Sequence, residues 1–184
     1  METMTERPLI LPPLRRRMAD AQRFAYEAHK GQVDKAGRPY FEHLRRIHSR
    51  LLRLMDGVPE ERWDDVLQGG LLQIAYLHDV IEDTPYTATD LLEEGFHRRV
   101  VASVKLLSKP PGCRRYLDWI EHIAELGDLP TILVKIADIE DNSDPERLAL
   151  LDEPTRERLK KKYGAALPIL KEAAARMGWR QGNG

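Results

Sequence analysis

Apolar residues recur three and four positions apart along most of the chain. This spacing is found at 18–28, 44–54, 100–107 and 117–123, and it is the repeat of a helix with one buried face. No stretch alternates between apolar and polar residues as a half-buried strand does. The segment LLQIAYL at 71–77 is apolar on almost every side, which predicts a helix enclosed by the others. The pattern therefore predicts an all-α bundle.

Turn signals separate the predicted helices and suggest a single domain. Clusters of glycine and proline fall at 31–39, 57–59, 110–112, 127–130 and 145–154, and none is long enough to be a linker between domains. We expect seven to nine helices in one domain over 1–184, with a core at about 15–177 and flexible ends. Pro168 is expected to kink the last helix or to begin its final piece.

Composition narrows the class of protein. Charged residues make up 32% and hydrophobic residues 42%, as in ordinary globular proteins, and the formal net charge of −1 gives no overall attraction to nucleic acid or to an acidic membrane. The single cysteine, Cys113, excludes an intrachain disulfide and a cysteine-based zinc site. The opening METMTERPLILPPLRRR is broken by three prolines, unlike a signal peptide. These features predict a cytoplasmic protein that spans no membrane.

The stretch AYLHDVIEDTPYT at 75–87 carries more charge than its apolar surroundings explain. If 71–83 is one helix, His78, Asp79, Glu82 and Asp83 crowd the same side of its final turns. Carboxylates at this spacing repel one another, and burying one without compensation costs several kcal/mol. A bound cation would resolve the conflict.

Two other apolar helices supply matching groups near one end. His43 lies in PYFEHLRRI and Asp138 in ILVKIADIEDN. Together with His78 and Asp79 they would offer two imidazole nitrogens and two carboxylate oxygens, a set without thiolate that suits an octahedral ion such as Mn²⁺ and leaves Fe²⁺ and Zn²⁺ open. Each residue alone has an ordinary reading as a cap or a solvated helix end, so it is their joint occurrence that predicts a metal site.

Four stretches of the chain resemble the motifs of a known protein family. They are AYEAHKGQVDKAGRPYFEHLRRI, AYLHDVIEDTPYT, VASVKLLSK and LVKIADIEDN, in that order between residue 20 and about residue 150. The chain resembles HD-domain phosphohydrolases, in particular the hydrolase domain of the RelA/SpoT alarmone family and its small stand-alone relatives. The resemblance implies an HD-domain helical bundle, and the separate synthetase domain of bifunctional members is not expected.

Residue roles follow from the matching motifs. The resemblance implies that Glu82 and Asp83 position or activate the attacking water, and that Lys35, Lys109 and Asn142 contact the substrate. It also implies that one metal, typically Mn²⁺, is bound by His43, His78, Asp79 and Asp138. The expected activity is ppGpp 3′-pyrophosphohydrolase, with a small phosphorylated nucleotide as the partner.

The chain departs from the family pattern at two places, which affect the residues expected to contact the guanine base and leave the expected metal ligands unchanged. Asp34 precedes Lys35 where the family usually has an arginine that packs on guanine, and a carboxylate there would remove a base contact and repel phosphate. The motif ADIEDN at 137–142 also differs from the usual family sequence.

Two alternatives stay open at this stage. One is an HD phosphohydrolase that acts on another nucleotide or phosphorylated metabolite, and the other is a non-catalytic module that binds nucleotide and regulates a partner. Substrate, physiological metal and oligomeric state are not set by the sequence.

Overall fold

The computed structural model describes residues 16–68 and 70–182. The proline-rich opening of the chain, with Pro8, Pro12 and Pro13, lies outside the described residues, as do the last two residues of the tail. Apart from one isolated bridge between Val33 and Pro39, the described residues form no β-structure. They form the helices α1 Met18–Ala28, α2 Tyr40–Leu54, α3 Trp63–Gln68, α4 Leu71–Leu77, α5 Val80–Asp83, α6 Ala88–Glu93, α7 Arg98–Leu107, α8 Tyr116–Leu126, α9 Leu129–Asn142, α10 Pro145–Leu148 and α11 Glu153–Arg176, with 3₁₀ turns at Met55–Gly57 and Glu60–Arg62.

Helix α9 is the centre of the bundle. Every residue from Leu129 to Ile139 is buried, and the helix packs against α2, α4 and α11. Its start is defined by Asp128, whose side chain accepts a hydrogen bond from the Thr131 N–H at 3.1 Å, with Pro130 in the first turn. A helix surrounded on all sides holds its side chains rigidly, so residues near its C-terminal end are well placed to form a site.

The described residues form eleven α-helices, more than the seven to nine expected, and one of the causes is a break in the segment 71–83. The segment 71–83 is not one helix, because α4 ends at Leu77 and α5 begins at Val80. At the junction Asp79 has φ −101° and ψ −2°, away from regular helical geometry. The break separates the His78–Asp79 pair, which follows α4, from the Glu82–Asp83 pair, which lies in α5.

Pro168 lies inside the last helix. Helix α11 continues through it from Glu153 to Arg176, so the proline begins no separate helix. A proline inside a helix still removes one backbone hydrogen bond, but packing of α11 against α8 and α9 holds the segment helical. No helix of the described residues is long and apolar enough to cross a membrane.

Candidate metal centre and substrate pocket

His43 lies in the first turn of α2 and is held by a carboxylate behind it. Its Nδ1 is 2.7 Å from the Oδ2 of Asp141, a fully buried acid near the end of α9. Because a carboxylate only accepts, Nδ1 carries the proton and donates. The lone pair of the neutral ring is then on Nε2, which lies 3.5 Å from Asp138 Oδ1 and 3.8 Å from Asp79 Oδ2.

His78 follows the C-terminal end of α4, and its two ring nitrogens are used in the same way as those of His43. Its Nδ1 donates to the Ala75 carbonyl at 2.9 Å, which again leaves the lone pair on Nε2. That nitrogen is buried and makes no hydrogen bond within the described residues. Asp79 Oδ2 is 2.8 Å away, but not in hydrogen-bonding geometry. A buried nitrogen with an unused lone pair is what a metal ligand requires.

The ligand atoms of His43, His78 and Asp138 converge. One atom from each lies within 4.8 Å of the other two. Ligands that share an ion at about 2.0–2.2 Å lie roughly 3–4 Å apart, so this spacing fits a divalent cation with little movement. Asp79 lies beside both imidazoles. The four predicted ligands are therefore neighbours, and their donor set fits a divalent metal.

The electrostatics of the cluster show its need for positive charge. Burial lowers the pKa of His43, but the hydrogen bonds that it donates to the carboxylates of Asp138 and Asp141 outweigh burial and raise that pKa to about 9. Burial raises the pKa of Asp79, yet the neighbouring His78 holds it well below its usual range. Two buried carboxylates thus favour protons on the imidazoles, and a divalent cation can supply that charge instead.

Glu82 and Asp83 line the same pocket, on the side of α5. Glu82 Oε2 accepts a hydrogen bond from the Lys109 N–H at 2.8 Å, and Asp83 Oδ2 lies 3.3 Å from the hydroxyl of Tyr40. That hydroxyl also donates to Asp79. Burial raises the pKa of both Glu82 and Asp83, and the charge of Asp79 raises each further. A carboxylate with a raised pKa is a better proton acceptor than one in water.

The pocket has a volume of about 340 Å³, and the three predicted substrate residues line it. Lys35 and Lys109 lie on its rim in exposed loops. Asn142 donates from Nδ2 to Asp138 Oδ1, so part of its role is to hold a ligand-type carboxylate. The three residues therefore lie where a substrate bound in this pocket would be within their reach.

Several residues that line the pocket were not predicted from the sequence. Lys135 is buried, 2.9 Å from Asp138 Oδ2 and 4.3 Å from the centre of the Trp119 ring. Lys162 on α11 lies 4.0 Å from the centre of the Tyr116 ring. Burial lowers the pKa of Lys162, with Lys35 and Lys135 adding to the effect, to about 8. The pocket therefore combines lysines with aromatic rings. Of these residues, only Lys135 could have been noticed in the sequence, because it is a charged residue in an apolar helix, three positions before Asp138.

The structure contradicts one part of the expectation for Asp34, namely that its carboxylate would repel phosphate. Its carboxylate is buried and accepts from the backbone N–H groups of Ala36 and Arg38 at 2.9 and 3.1 Å. Its Oδ2 lies 3.0 Å from Arg147 Nη2 and 3.3 Å from Arg46 Nη2. These partners neutralise it, so Asp34 shapes the loop before α2 and is not a free charge that repels phosphate.

Comparison with known proteins shows which proteins the chain resembles. No family model matches the chain. A guanosine-3′,5′-bis(diphosphate) 3′-pyrophosphohydrolase of Haemophilus influenzae is 32% identical over 62% of the chain, and the bifunctional (p)ppGpp synthase/hydrolase SpoT of Escherichia coli is 32% identical over 67%. The chain resembles RelA/SpoT hydrolases. It spans only 16% and 17% of the length of these two relatives.

A solved structure supports the fold. A metazoan ortholog of SpoT, described as hydrolysing ppGpp, superposes with a TM-score of 0.61 over 88% of this chain and 95% of its own, at 22% sequence identity. The prediction of an all-α HD-domain bundle is confirmed. The likeness in sequence and the likeness in fold point to the same group of proteins.

Proposed function

We propose that this protein is a metal-dependent phosphohydrolase that converts ppGpp to GDP and pyrophosphate. The observation that carries the proposal is the pocket itself, which joins a metal-type ligand set to an acidic pair and to four lysines, namely Lys35, Lys109, Lys135 and Lys162. The relatives named as ppGpp 3′-pyrophosphohydrolases support it. We also propose that the whole chain forms one HD domain.

We propose His43, His78, Asp79 and Asp138 as the ligands and Mn²⁺ as the metal. The nitrogen and oxygen donors without thiolate favour an ion that accepts mixed ligands and keeps positions for water and substrate. Such an ion supplies Lewis acidity toward a phosphoryl oxygen and lowers the pKa of water. Asp141 holds His43 in the required tautomer, and the Ala75 carbonyl does the same for His78.

The acidic pair would handle the proton. Glu82 and Asp83 face the pocket with raised pKa values, so either can orient a water and accept its proton as the oxygen bonds to phosphorus. The bond from that phosphorus to the ribose 3′ oxygen breaks, and the leaving oxygen takes up a proton to give GDP. The Lys109 N–H keeps Glu82 in place through the hydrogen bond at 2.8 Å.

The lysines and rings would hold the nucleotide. Four ammonium groups offset the charge of a substrate with two diphosphates, which the chain as a whole, at net −1, does not attract. Tyr116, Trp119 and Tyr163 add aromatic surface to the pocket wall, and Lys162 and Lys135 lie over the rings of Tyr116 and Trp119. Because aromatic surface does not discriminate strongly between bases, this wall favours a second candidate, hydrolysis of other phosphorylated nucleotides by the same centre.

The test is product identification. The metal-stripped protein is supplied with Mn²⁺ and incubated with ppGpp, with an adenosine analogue and with a 2′- or 3′-phosphorylated nucleotide, and products are separated by ion exchange. GDP and pyrophosphate in equal amounts are expected from ppGpp. Turnover of another nucleotide with none of ppGpp would reject the alarmone reading and keep the phosphohydrolase reading, whereas no turnover of any of them would reject both.

A further inference from the structure

The outer face of α2 and the loop before it carry a second cavity of about 510 Å³, which we call the arginine groove. It shares no lining residue with the metal pocket. Its lining contains five arginines and one carboxylate: Arg38, Glu42, Arg45, Arg46, Ser49, Arg50 and Arg53. So much positive charge in one concavity is unexpected in a chain of net charge −1.

Two of the arginines form a fixed floor. Arg46 Nε donates to Asp141 Oδ1 at 2.8 Å, and Arg50 Nη2 donates to Asp144 Oδ2 at 2.6 Å. Their side chains are therefore already ordered, which reduces the conformational entropy that a ligand would have to remove. Arg46 keeps a further group, Nη1, 4.0 Å from Glu42 on the adjacent turn.

The other three arginines lack such partners. Arg38, Arg45 and Arg53 are exposed, and no carboxylate of the described residues lies within 4.0 Å of their guanidinium groups. Like charges three or four positions apart on a helix, as at Arg50 and Arg53, destabilise it by about 0.2–0.5 kcal/mol per pair. The groove thus concentrates cationic charge that its own acids leave uncompensated.

We propose that the arginine groove binds a small phosphorylated anion, such as inorganic pyrophosphate or the diphosphate of a nucleotide. The planar guanidinium fork matches phosphate oxygens in pairs. The volume falls within the range of about 300–1,000 Å³ typical of small-molecule sites. The groove runs over only about three turns of one helix, and this short extent favours a compact anion over the extended backbone of a nucleic acid. The site does not depend on the activity proposed for the metal pocket.

The test uses the full chain without divalent metal, titrated with inorganic pyrophosphate in a calorimeter. Arg45→Gln combined with Arg53→Gln is expected to weaken binding by roughly tenfold or more, since two charge-assisted contacts are lost. The matched control, Arg98→Gln with Arg99→Gln at the exposed start of α7, removes the same charge far from the groove and is expected to leave binding unchanged. Both double variants should retain the thermal stability of the wild type.

A second pair of variants separates the groove from the metal pocket. Lys109→Gln combined with Lys162→Gln removes two cations of that pocket, where pyrophosphate can also bind, and should leave unchanged the affinity of the binding site that the groove pair weakens. Loss of binding in this pair but not in the groove pair would overturn the proposal, as would equal losses in the groove pair and its control. A parallel titration with ADP shows whether a free or a nucleotide-borne diphosphate is preferred.

Discussion

Asp141 is the residue whose replacement tests the architecture of the site most severely. It accepts hydrogen bonds from His43 at 2.7 Å and from Arg46 at 2.8 Å, and Arg147 Nη1 lies 2.5 Å from it. Asp141→Asn keeps the size of the side chain and removes its charge. Two guanidinium groups and one imidazole would then share a neutral amide that can satisfy only part of them.

The magnitude follows from burial. Removing one member of a buried ion network costs about 3–5 kcal/mol, and the Arg46 side chain is 27% exposed, so water recovers part of that loss. We expect the free energy of unfolding to fall by about 3 kcal/mol, or the melting temperature by about 6–12 °C. Loss of the hydrogen bond that orients His43 should also weaken Mn²⁺ binding by about 10–100-fold.

The assay pairs chemical denaturation of metal-free protein with calorimetric titration of Mn²⁺. Asp144→Asn is the matched control, because Asp144 is 28% exposed, bonds only Arg50 at 2.6 Å among side chains, and does not contact His43. That variant should lose at most about 1 kcal/mol and bind Mn²⁺ like the wild type. A folded Asp141→Asn protein with unchanged Mn²⁺ affinity would refute the role given to Asp141.

Three further substitutions test other parts of the site. Glu82→Gln should keep Mn²⁺ binding and lower kcat by roughly 10²-fold or more, and an unchanged kcat would remove Glu82 from the chemistry. Lys162 has its pKa lowered to about 8 and is charged below that pH, so kcat/KM for ppGpp should decline as pH rises through about 8. Lys162→Met should lower kcat/KM and flatten that decline, whereas the exposed control Lys160→Met should not; identical pH profiles would contradict the assignment. Asp34→Arg would place a third cation beside Arg46 and Arg147. It should therefore lower the free energy of unfolding by about 3 kcal/mol and also lower ppGpp turnover. A gain in turnover would instead support the hypothesis that an arginine at this position stacks on the base.

The candidate metal ligands could be proposed from the sequence because their physical signal is local. A histidine or carboxylate at the end of an apolar helix conflicts with its surroundings, and the conflict is visible at His43, His78 and Asp138 without any knowledge of the fold. Helical periodicity likewise indicated the bundle. The break at Asp79 left no such signal, since no glycine or proline stands there and the apolar pattern continues through it.

The electrostatic partners could not be predicted because they come from distant parts of the chain. Asp34 looked like a charge facing substrate, and only folding brings it to Arg147, 113 positions later. In the sequence, Lys162 is indistinguishable from the neighbouring exposed lysines, and only the packing of α11 places it beside Tyr116 in the pocket. Whether a charge is neutralised depends on tertiary contacts, so the sequence could indicate a candidate ligand set but not which of the charges around it are paired.

The central claim is that one divalent ion in the cluster of His43, His78, Asp79 and Asp138 is required for ppGpp hydrolysis. The most direct measurement is a titration of metal-stripped protein with Mn²⁺ while release of pyrophosphate from ppGpp is followed. We predict no turnover without metal, a rise that saturates at one equivalent of Mn²⁺ per chain, and no rise in His43→Ala. Turnover by the metal-stripped protein, or full restoration in His43→Ala, would contradict the claim.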